Sequence, residues 1–385
     1  MSFAAPFSDP NYRALYIHIP FCVKRCIYCD FPTEAVAYND PLIDEYVGQL
    51  AQTIGTYALR GLLDEVETIY IGGGTPSFIG PARLAKLLGA LDETGVIANN
   101  KEFTIEANPE SLTDQVVAVM GKYHVNRVSV GAQSFIDDEL KALSRPHDSG
   151  MAISALDKAL AAFNNVSLDI MCGIPHQTMD SLIESLDTAV GLGVQHISVY
   201  PLSVEEGTGL AEAISSQAFV IADDDQQADF MLSAKAYLLK HGFEHYEIAS
   251  YARRGYRSAH NQAYWKSLPY LGIGKGAVGM GLAHGSRFRY SDQGIIEQLD
   301  AKGQALEDLM LGMRLMDGVP FDAIDQVQGL LPSTWECFLE LEELQLVRRS
   351  GGYCQLTDRG WLLGNEVFMR ILSIGDDEDG RQPDG

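Results

Sequence analysis

Tyr16-Ile-His18-Ile-Pro-Phe-Cys22-Val-Lys-Arg-Cys26-Ile-Tyr28-Cys29-Asp-Phe31 joins a short apolar run to three cysteines spaced C-x3-C-x2-C. Three thiols gathered this closely suit one metal centre, and the segment supplies no fourth. A cubane [4Fe-4S] cluster is normally held by four cysteines, so three would leave one iron open to a ligand that is not protein. On spacing alone a structural zinc site completed by His18 or another residue is the competing reading. The aromatics Tyr28 and Phe31, in and beside the loop, favour the cluster, and so do the polar and glycine-rich motifs further along the chain.

Downstream of the cysteines, β-rich runs alternate with amphipathic stretches of helix length. Strands are expected at Leu15–Ile19, Thr68–Ile71, Glu102–Glu106, Arg127–Gly131, Val166–Met171 and His196–Pro201. Helices are expected at Leu42–Leu59, Ala82–Asp92, Thr113–Lys122, Met151–Phe163 and Met179–Leu192. This alternation implies an α/β fold with a parallel sheet. Six units are too few for the eight of a closed barrel, so an open, partial (β/α)6 barrel is expected. Chemistry in such sheets gathers at the C-terminal ends of the strands. There the sequence places the cysteine loop, Gly72-Gly73-Gly74-Thr75-Pro76, Glu106-Ala-Asn-Pro109, Gln133-Ser-Phe135, and Asp169 ahead of Gly173-Ile-Pro175. Each alone is a turn or a strand-end cap, and their weight comes from recurring at one rim. Glycines there let a ligand approach the backbone, and Glu106 and Asp169 can accept hydrogen bonds from an amine or ribose hydroxyls.

Beyond a helix from about Asp223 to His241, Tyr246–Tyr251 reads as a further strand. A glycine-rich, aromatic segment comes next. From His241 to Tyr290 the cations Arg253, Arg254, Arg257, Lys266, Lys275, Arg287 and Arg289 face only Glu244 and Glu247. This basic stretch lies in a chain of net charge -24, with 52 acidic and 28 basic residues. Within it lies His260-Asn261-Gln-Ala-Tyr264-Trp265. From composition the bland reading is a core histidine beside a packed Tyr–Trp pair. The functional one is a haem site with an imidazole ligand, stacking aromatics and cations for the propionates. His18, His176 and His284 are rival ligands.

From Gln304 the pattern is helical again. Ser333-Thr-Trp-Glu336 has the form of a capping box opening a helix to about Leu346. Val347–Arg349 and Tyr353–Leu356 flank Ser350-Gly-Gly352 as a hairpin, with a helix from Asp358. The order resembles a winged helix. Acidic residues outnumber basic ones across it, so nucleic-acid binding is not expected. The expected division is residues 1–253 for the cluster-bearing partial barrel, 254–303 for the basic aromatic segment, 304–372 for the C-terminal domain, and 373–385 for a disordered acidic tail.

No run of 18 apolar residues is present, and no signal peptide is read at Met1–Asn11. Three clustered cysteines, with Cys172, Cys337 and Cys354 scattered as small core residues, fit a reducing cytoplasm better than a disulfide framework.

The motifs together resemble the radical S-adenosylmethionine (SAM) superfamily. The C-x3-C-x2-C loop with an aromatic before its third cysteine, followed by GGGTP on the next strand, carries that likeness. Tyr16-Ile-His-Ile-Pro, Glu106-Ala-Asn-Pro, Gly131-Ala-Gln-Ser-Phe, Asp169 with Gly173-Ile-Pro, and His260-Asn-x-x-Tyr-Trp265 narrow it to the HemW-type haem chaperones, over about residues 12–372. The resemblance implies that the open iron chelates SAM, and that the reduced cluster cleaves it to a 5′-deoxyadenosyl radical. It carries the cluster ligands onto Cys22, Cys26 and Cys29, and SAM contacts onto Tyr16, Tyr28, Gly73, Gly74, Thr75, Glu106, Gln133, Arg145 and Asp169. The haem-associated motif falls on His260, Asn261, Tyr264 and Trp265, with His260 the expected ligand.

The related oxygen-independent coproporphyrinogen III oxidases, the alternative function, have a further cysteine two residues after the third, where this chain has Phe31. They also have a longer N-terminal arm than the approximately 15 residues before the first strand here. One departure from the chaperones falls at Gly272-Ile-Gly-Lys275-Gly-Ala-Val278, where a Cys or Gly-Ala-His is common among them. The implied role is a chaperone that binds haem and delivers it to client haemoproteins such as respiratory enzymes. The implied setting is the cytoplasm, with peripheral attachment at the membrane, and a homodimer is left open.

Overall fold

The computed structural model describes residues 11–98, 101–283 and 285–375. The acidic tail from residue 376, the signal-peptide reading before residue 11, and His284 lie outside the described residues.

The six expected parallel strands are present and lie side by side in chain order: Ala14–Ile19, Thr68–Gly73, Glu102–Ala107, Arg127–Gln133, Val166–Cys172 and His196–Pro201. Their residues are buried almost without alternation, as strands covered on both faces must be. Helices Pro41–Leu59, Pro81–Glu93, Asp114–Lys122, Ser149–Ala162 and Met179–Leu192 carry the chain between strands. The first shows why the sequence folds this way. Asp40 accepts from the Leu42 amide, a proline occupies the first turn, and Ile43, Tyr46, Val47, Leu50, Ile54 and Tyr57 form one buried stripe.

The sheet does not stop at six strands. Among the described residues its linear order contains twelve, so it is open rather than closed. Next to the first strand lies Tyr270–Ile273, parallel to it, followed by the antiparallel strands Gly279–Ala283, Ser286–Ser291 and Gly294–Leu299. Outside the sixth lie Ser250–Ala252 and Glu244–His245, both antiparallel. The expected basic segment, 254–303, is therefore a continuation of the barrel sheet. The expected single strand Tyr246–Tyr251 is instead two short strands with a turn between them. Glu247 and Ile248 in that turn pair across to Leu315 and Arg314 of the C-terminal part.

The C-terminal part has the expected helix and hairpin order: Ala301–Met313, Phe321–Gln328, Thr334–Glu343, the hairpin Val347–Ser350 and Tyr353–Leu356, then Asp358–Leu362 and Gly364–Leu372. The capping box does not form. Ser333 makes no side-chain cap, and the Thr334 hydroxyl donates back to the Leu331 carbonyl within a tight turn. The first-turn Trp335 amide is instead satisfied by Gln328 Oε1 at 2.8 Å. Among the described residues no helix is long and apolar enough to cross a membrane.

Candidate functional site

At the C-terminal ends of the barrel strands a cavity of about 350 Å³ opens. Cys22, Cys26 and Cys29 line it together with Tyr28, Gly73, Gly74, Thr75, Glu106, Gln133, Arg145 and Asp169. Eleven of the sequence-expected residues thus meet at one place. Asn108, Ser129, Gly131, Met171 and Tyr200 also line it. Two of these stand inside the sequence motifs without an assigned role, and position at a strand end was the signal that could have found them.

Backbone packing sets the cysteine loop against the glycine strip. The Gly74 amide donates to the Ile19 carbonyl at 2.7 Å, and the Thr75 amide to Phe21 at 2.8 Å. A Cβ on Gly74 would lie 2.8 Å from the Phe21 oxygen and 3.0 Å from the Cys22 sulfur. Only glycine fits that approach. The Thr75 hydroxyl donates to Cys22 Sγ at 3.4 Å and accepts from Asn108 Nδ2 at 2.9 Å. Burial pushes the Cys22 thiol up to about 11, against that hydrogen bond.

Arg145 ties the loop to the strand ends. Its guanidinium donates to Cys26 Sγ at 3.3 Å, Tyr28 Oη at 3.5 Å, Asn108 Oδ1 at 2.9 Å and the Gly131 carbonyl at 2.6 Å. Its Nε is buried without a partner. Gln133 sits at a register shift between neighbouring strands with a φ of 69°, so its side chain is presented from a strained backbone.

Two carboxyl groups stand on the cavity floor. Glu106 accepts from the Gly73 amide at 3.0 Å and from the Tyr70 hydroxyl at 2.6 Å. Burial pushes it up to about 7, with Tyr70 pulling the other way and Asp169 adding repulsion. Burial likewise pushes Asp169 up to about 6, opposed by the positive charge of Arg127. Both would ionise more readily beside a cationic or hydroxyl-bearing ligand.

The donor set fits the implied group. Three thiols surround one cavity, no fourth cysteine lines it, and the glycine strip leaves no side chain between loop and cavity. Among the described residues no three His, Cys, Asp or Glu side chains are grouped to hold a single metal ion.

Tyr16 does not line this cavity, and its hydroxyl pairs with His18 Nδ1 at 2.8 Å. It faces a neighbouring cavity of about 400 Å³, lined also by His18, Phe31, Tyr264, Trp265 and Val278. Phe31 borders both spaces and is 59% exposed.

His260 lines neither cavity. It is 1% exposed, with Nδ1 on the Thr68 hydroxyl at 2.9 Å, Nε2 on the Tyr264 hydroxyl at 2.8 Å, and its ring stacked on Tyr70. Burial, then Arg127, lowers its pKa to about 3, so the imidazole is neutral. Asn261 also lines neither, and its amide donates to the capping Ser258 hydroxyl. The basic segment is largely neutralised as well. Arg257 pairs with Asp317 and Glu244, Lys275 with Glu34, Arg287 with Glu307 and Asp308, and Arg289 with Glu297 and Glu307.

Comparison with known proteins accords with this geometry. The profile described as Radical SAM superfamily matches residues 16–189, and that of the HemN C-terminal domain matches 299–363. A Bacillus subtilis (strain 168) protein named heme chaperone HemW is 33% identical over 384 residues, covering 94% of this chain and 99% of its own. A Mycobacterium tuberculosis (strain H37Rv) protein of the same name is 36% identical, covering 93% and 94%. Among solved structures, the Escherichia coli coproporphyrinogen III oxidase HemN, a radical SAM enzyme, superposes with a TM-score of 0.78 at 21% identity, covering 94% and 91%. At that identity the likeness speaks to fold.

Proposed function

The chain belongs to the HemW family of radical SAM proteins, and from that premise we propose a haem chaperone that carries a [4Fe-4S] cluster and SAM beside a haem-binding surface. The observation that carries this reading is the near-complete alignment with two proteins named as haem chaperones. Cys22, Cys26 and Cys29 hold the cluster. Glu106 and the Gly73–Gly74 backbone receive the amino-acid end of SAM, and Asp169, Gln133 and Tyr28 its nucleoside. Bound there, cluster and SAM supply one-electron chemistry. The chain's own residues orient the ligand and exclude water, with Arg145 fixing the loop to the strand ends. Haem passes from this protein to haem-receiving clients, among them respiratory enzymes at the membrane surface. A chain of net charge -24 disfavours nucleic acid as a partner.

Titration of the anaerobically reconstituted protein with haemin tests the reading. A shifted Soret band, followed by haem transfer to an apo-haemoprotein, is expected, and an unshifted band sinks it. The alternative is the oxidase, with which the chain shares a fold. Vinyl-group formation from coproporphyrinogen III, above a Cys26→Ala control, would favour it instead.

A further inference from the structure

Arg127 opens the strand Arg127–Gln133 and is 2% exposed, yet no carboxylate pairs with it among the described residues. Its Nε is buried without a partner, and its guanidinium makes a single long hydrogen bond, from Nη1 to the Thr104 hydroxyl at 3.5 Å. A guanidinium keeps its charge in proteins, and a buried charge without compensation is costly. Strand register says where the compensation lies. Side chains on a strand alternate between its faces, and Ser129 and Gly131 line the cysteine-lined cavity. Arg127, two residues before Ser129, therefore faces the same interior one layer deeper. Its bond to Thr104, the residue opposite it on strand Glu102–Ala107, agrees with that direction.

Strand Arg127–Gln133 lies between the two strands that carry the cavity's carboxyls. On one side Glu106 pairs with Ser129; on the other Ser129 pairs with Ser167, and Asp169 follows two residues on, on the same face. The guanidinium thus sits beneath the gap between Glu106 and Asp169. The imidazoles at that depth are neutral. His196 is held by the Ser167 hydroxyl at 2.8 Å and the Tyr246 hydroxyl at 2.9 Å, and burial, then Arg127, keeps its pKa well below the usual range. His260 is neutral for the same reasons. Of the two carboxyls, Glu106 already accepts from the Gly73 amide and the Tyr70 hydroxyl. Asp169 depends more on charge. Burial raises it, and Arg127 is the largest influence opposing that, ahead of Ser198 and Arg145.

We propose that Arg127 is a positioning residue for SAM, the buried counter-ion that holds Asp169 as an anionic acceptor for the ligand's ribose hydroxyls. The assignment rests on the SAM reading of the cavity and deepens it. An arginine in direct contact would cover the carboxylate oxygens with its own N–H groups. One set a layer below supplies charge and leaves the lone pairs to the ligand. Arg145 is no substitute, because its N–H groups are engaged by Cys26, Tyr28, Asn108 and Gly131.

The test uses Arg127→Met, which keeps the buried volume without the charge, Arg127→Lys, which keeps the charge, and each in an Asp169→Asn background. Full-length proteins are reconstituted anaerobically, assayed for iron and sulfide, and titrated with SAM by equilibrium dialysis from about pH 6 to 8.5. The groups facing Asp169 are Arg127, Arg145, Glu106, Tyr70 and Tyr200, and the amino group of SAM also titrates but is common to every protein compared. In Arg127→Met the acid limb of SAM binding should move up by about one pH unit, a loss of about fivefold near pH 6 that closes toward pH 8.5. Arg127→Lys should keep the parent's profile. With Asp169→Asn in place, Arg127→Met should no longer move it, a coupling that lost packing does not produce. A loss equal at every pH, or an undiminished shift in the Asp169→Asn background, means that Arg127 acts through packing and overturns the assignment. Arg127→Gln replaces the methionine variant if that fails to fold. If both uncharged variants fail, the lysine variant decides alone: the parent's profile upholds the assignment and a shifted one overturns it. If the parent itself retains no SAM, the SAM reading of the cavity falls and this assignment with it.

Discussion

Glu106 is a buried carboxyl whose two hydrogen bonds come from a neighbouring strand, one from the Gly73 amide and one from the Tyr70 hydroxyl. Because burial lifts it from 4.5 to about 7, the native protein keeps a proton that the unfolded chain releases. Stability contributed this way falls as pH rises from about 4.5 to 7, and Asp169 adds the same sign from 3.8 to about 6. Urea midpoints of the metal-free protein across that window should therefore decline with pH, and Glu106→Gln should flatten the decline. An unchanged slope would mean that Glu106 ionises as an exposed carboxyl does. Tyr70→Phe removes the donor that favours the ionised form. At neutral pH it should weaken SAM binding about tenfold, the scale of a lost hydrogen bond to a charged group, as read by equilibrium dialysis. The sequence made Glu106 visible because strand ends collect polar residues at the rim. Tyr70 was harder to see. It stands two residues before Gly72, on the same face of its strand, but nothing in its neighbours announces a carboxylate opposite. His260 shows the converse, since its burial and its two hydrogen-bond partners, Thr68 and Tyr264, come from the fold and could not be read from the motif that singled it out.

Between residue and fold, the glycine strip and the cysteine loop act as one unit. Both Gly74 and Thr75 donate their amides to carbonyls just before the first cysteine, so the loop's position is built from backbone. Gly74→Ala would push its methyl against the Phe21 oxygen and the Cys22 sulfur. The expected result is less iron and sulfide retained after reconstitution, with far-ultraviolet circular dichroism unchanged. Full retention would show that the loop can shift without loss. A second unit is the short helix Ala259–Trp265. Buried Glu102, at the start of the third barrel strand, accepts from the Ser258 hydroxyl and from the Ala259 and His260 amides. Glu102→Ala strands three donors and should cost about 3 kcal/mol, measured by urea unfolding, with faster amide exchange across 259–265. The barrel strands were legible because unbroken apolar runs leave few alternatives. The capping box at Ser333 and the strand Tyr246–Tyr251 were misread for a shared reason. Both lie where the chain turns to meet a partner element, and tertiary contacts decide the local conformation.

At the scale of the molecule, and among the described residues, one open twelve-stranded sheet carries both the cysteine-lined cavity and the second cavity. The sequence showed a basic run, but its partners lie elsewhere in the chain, so its charge could not be judged from the run alone. Arg287 is the clearest case. Its side chain is 2% exposed on strand Ser286–Ser291 and meets Glu307 and Asp308 of helix Ala301–Met313, both at 2.5 Å. Arg289 on the same strand closes on Glu307 as well. These pairs fasten the C-terminal domain to the sheet at the edge of the second cavity, where Arg289, Glu307 and Leu311 are all lining residues. Removing Arg287 leaves buried Glu307 with Arg289 as its remaining counter-ion, so the cost should fall below about 3–5 kcal/mol, that of a fully stranded buried charge. Arg287→Ala should therefore lower the urea midpoint and let the C-terminal domain unfold in a separate, earlier transition. An apolar replacement of both partners, Arg287→Met with Glu307→Met, removes the stranded charge but also releases Arg289. It should recover part of the stability. If Arg287→Ala unfolds in one transition at the parent's midpoint, the fastening lies elsewhere, in the contacts of Trp361 with Ile248 and of Lys235 with Asp358.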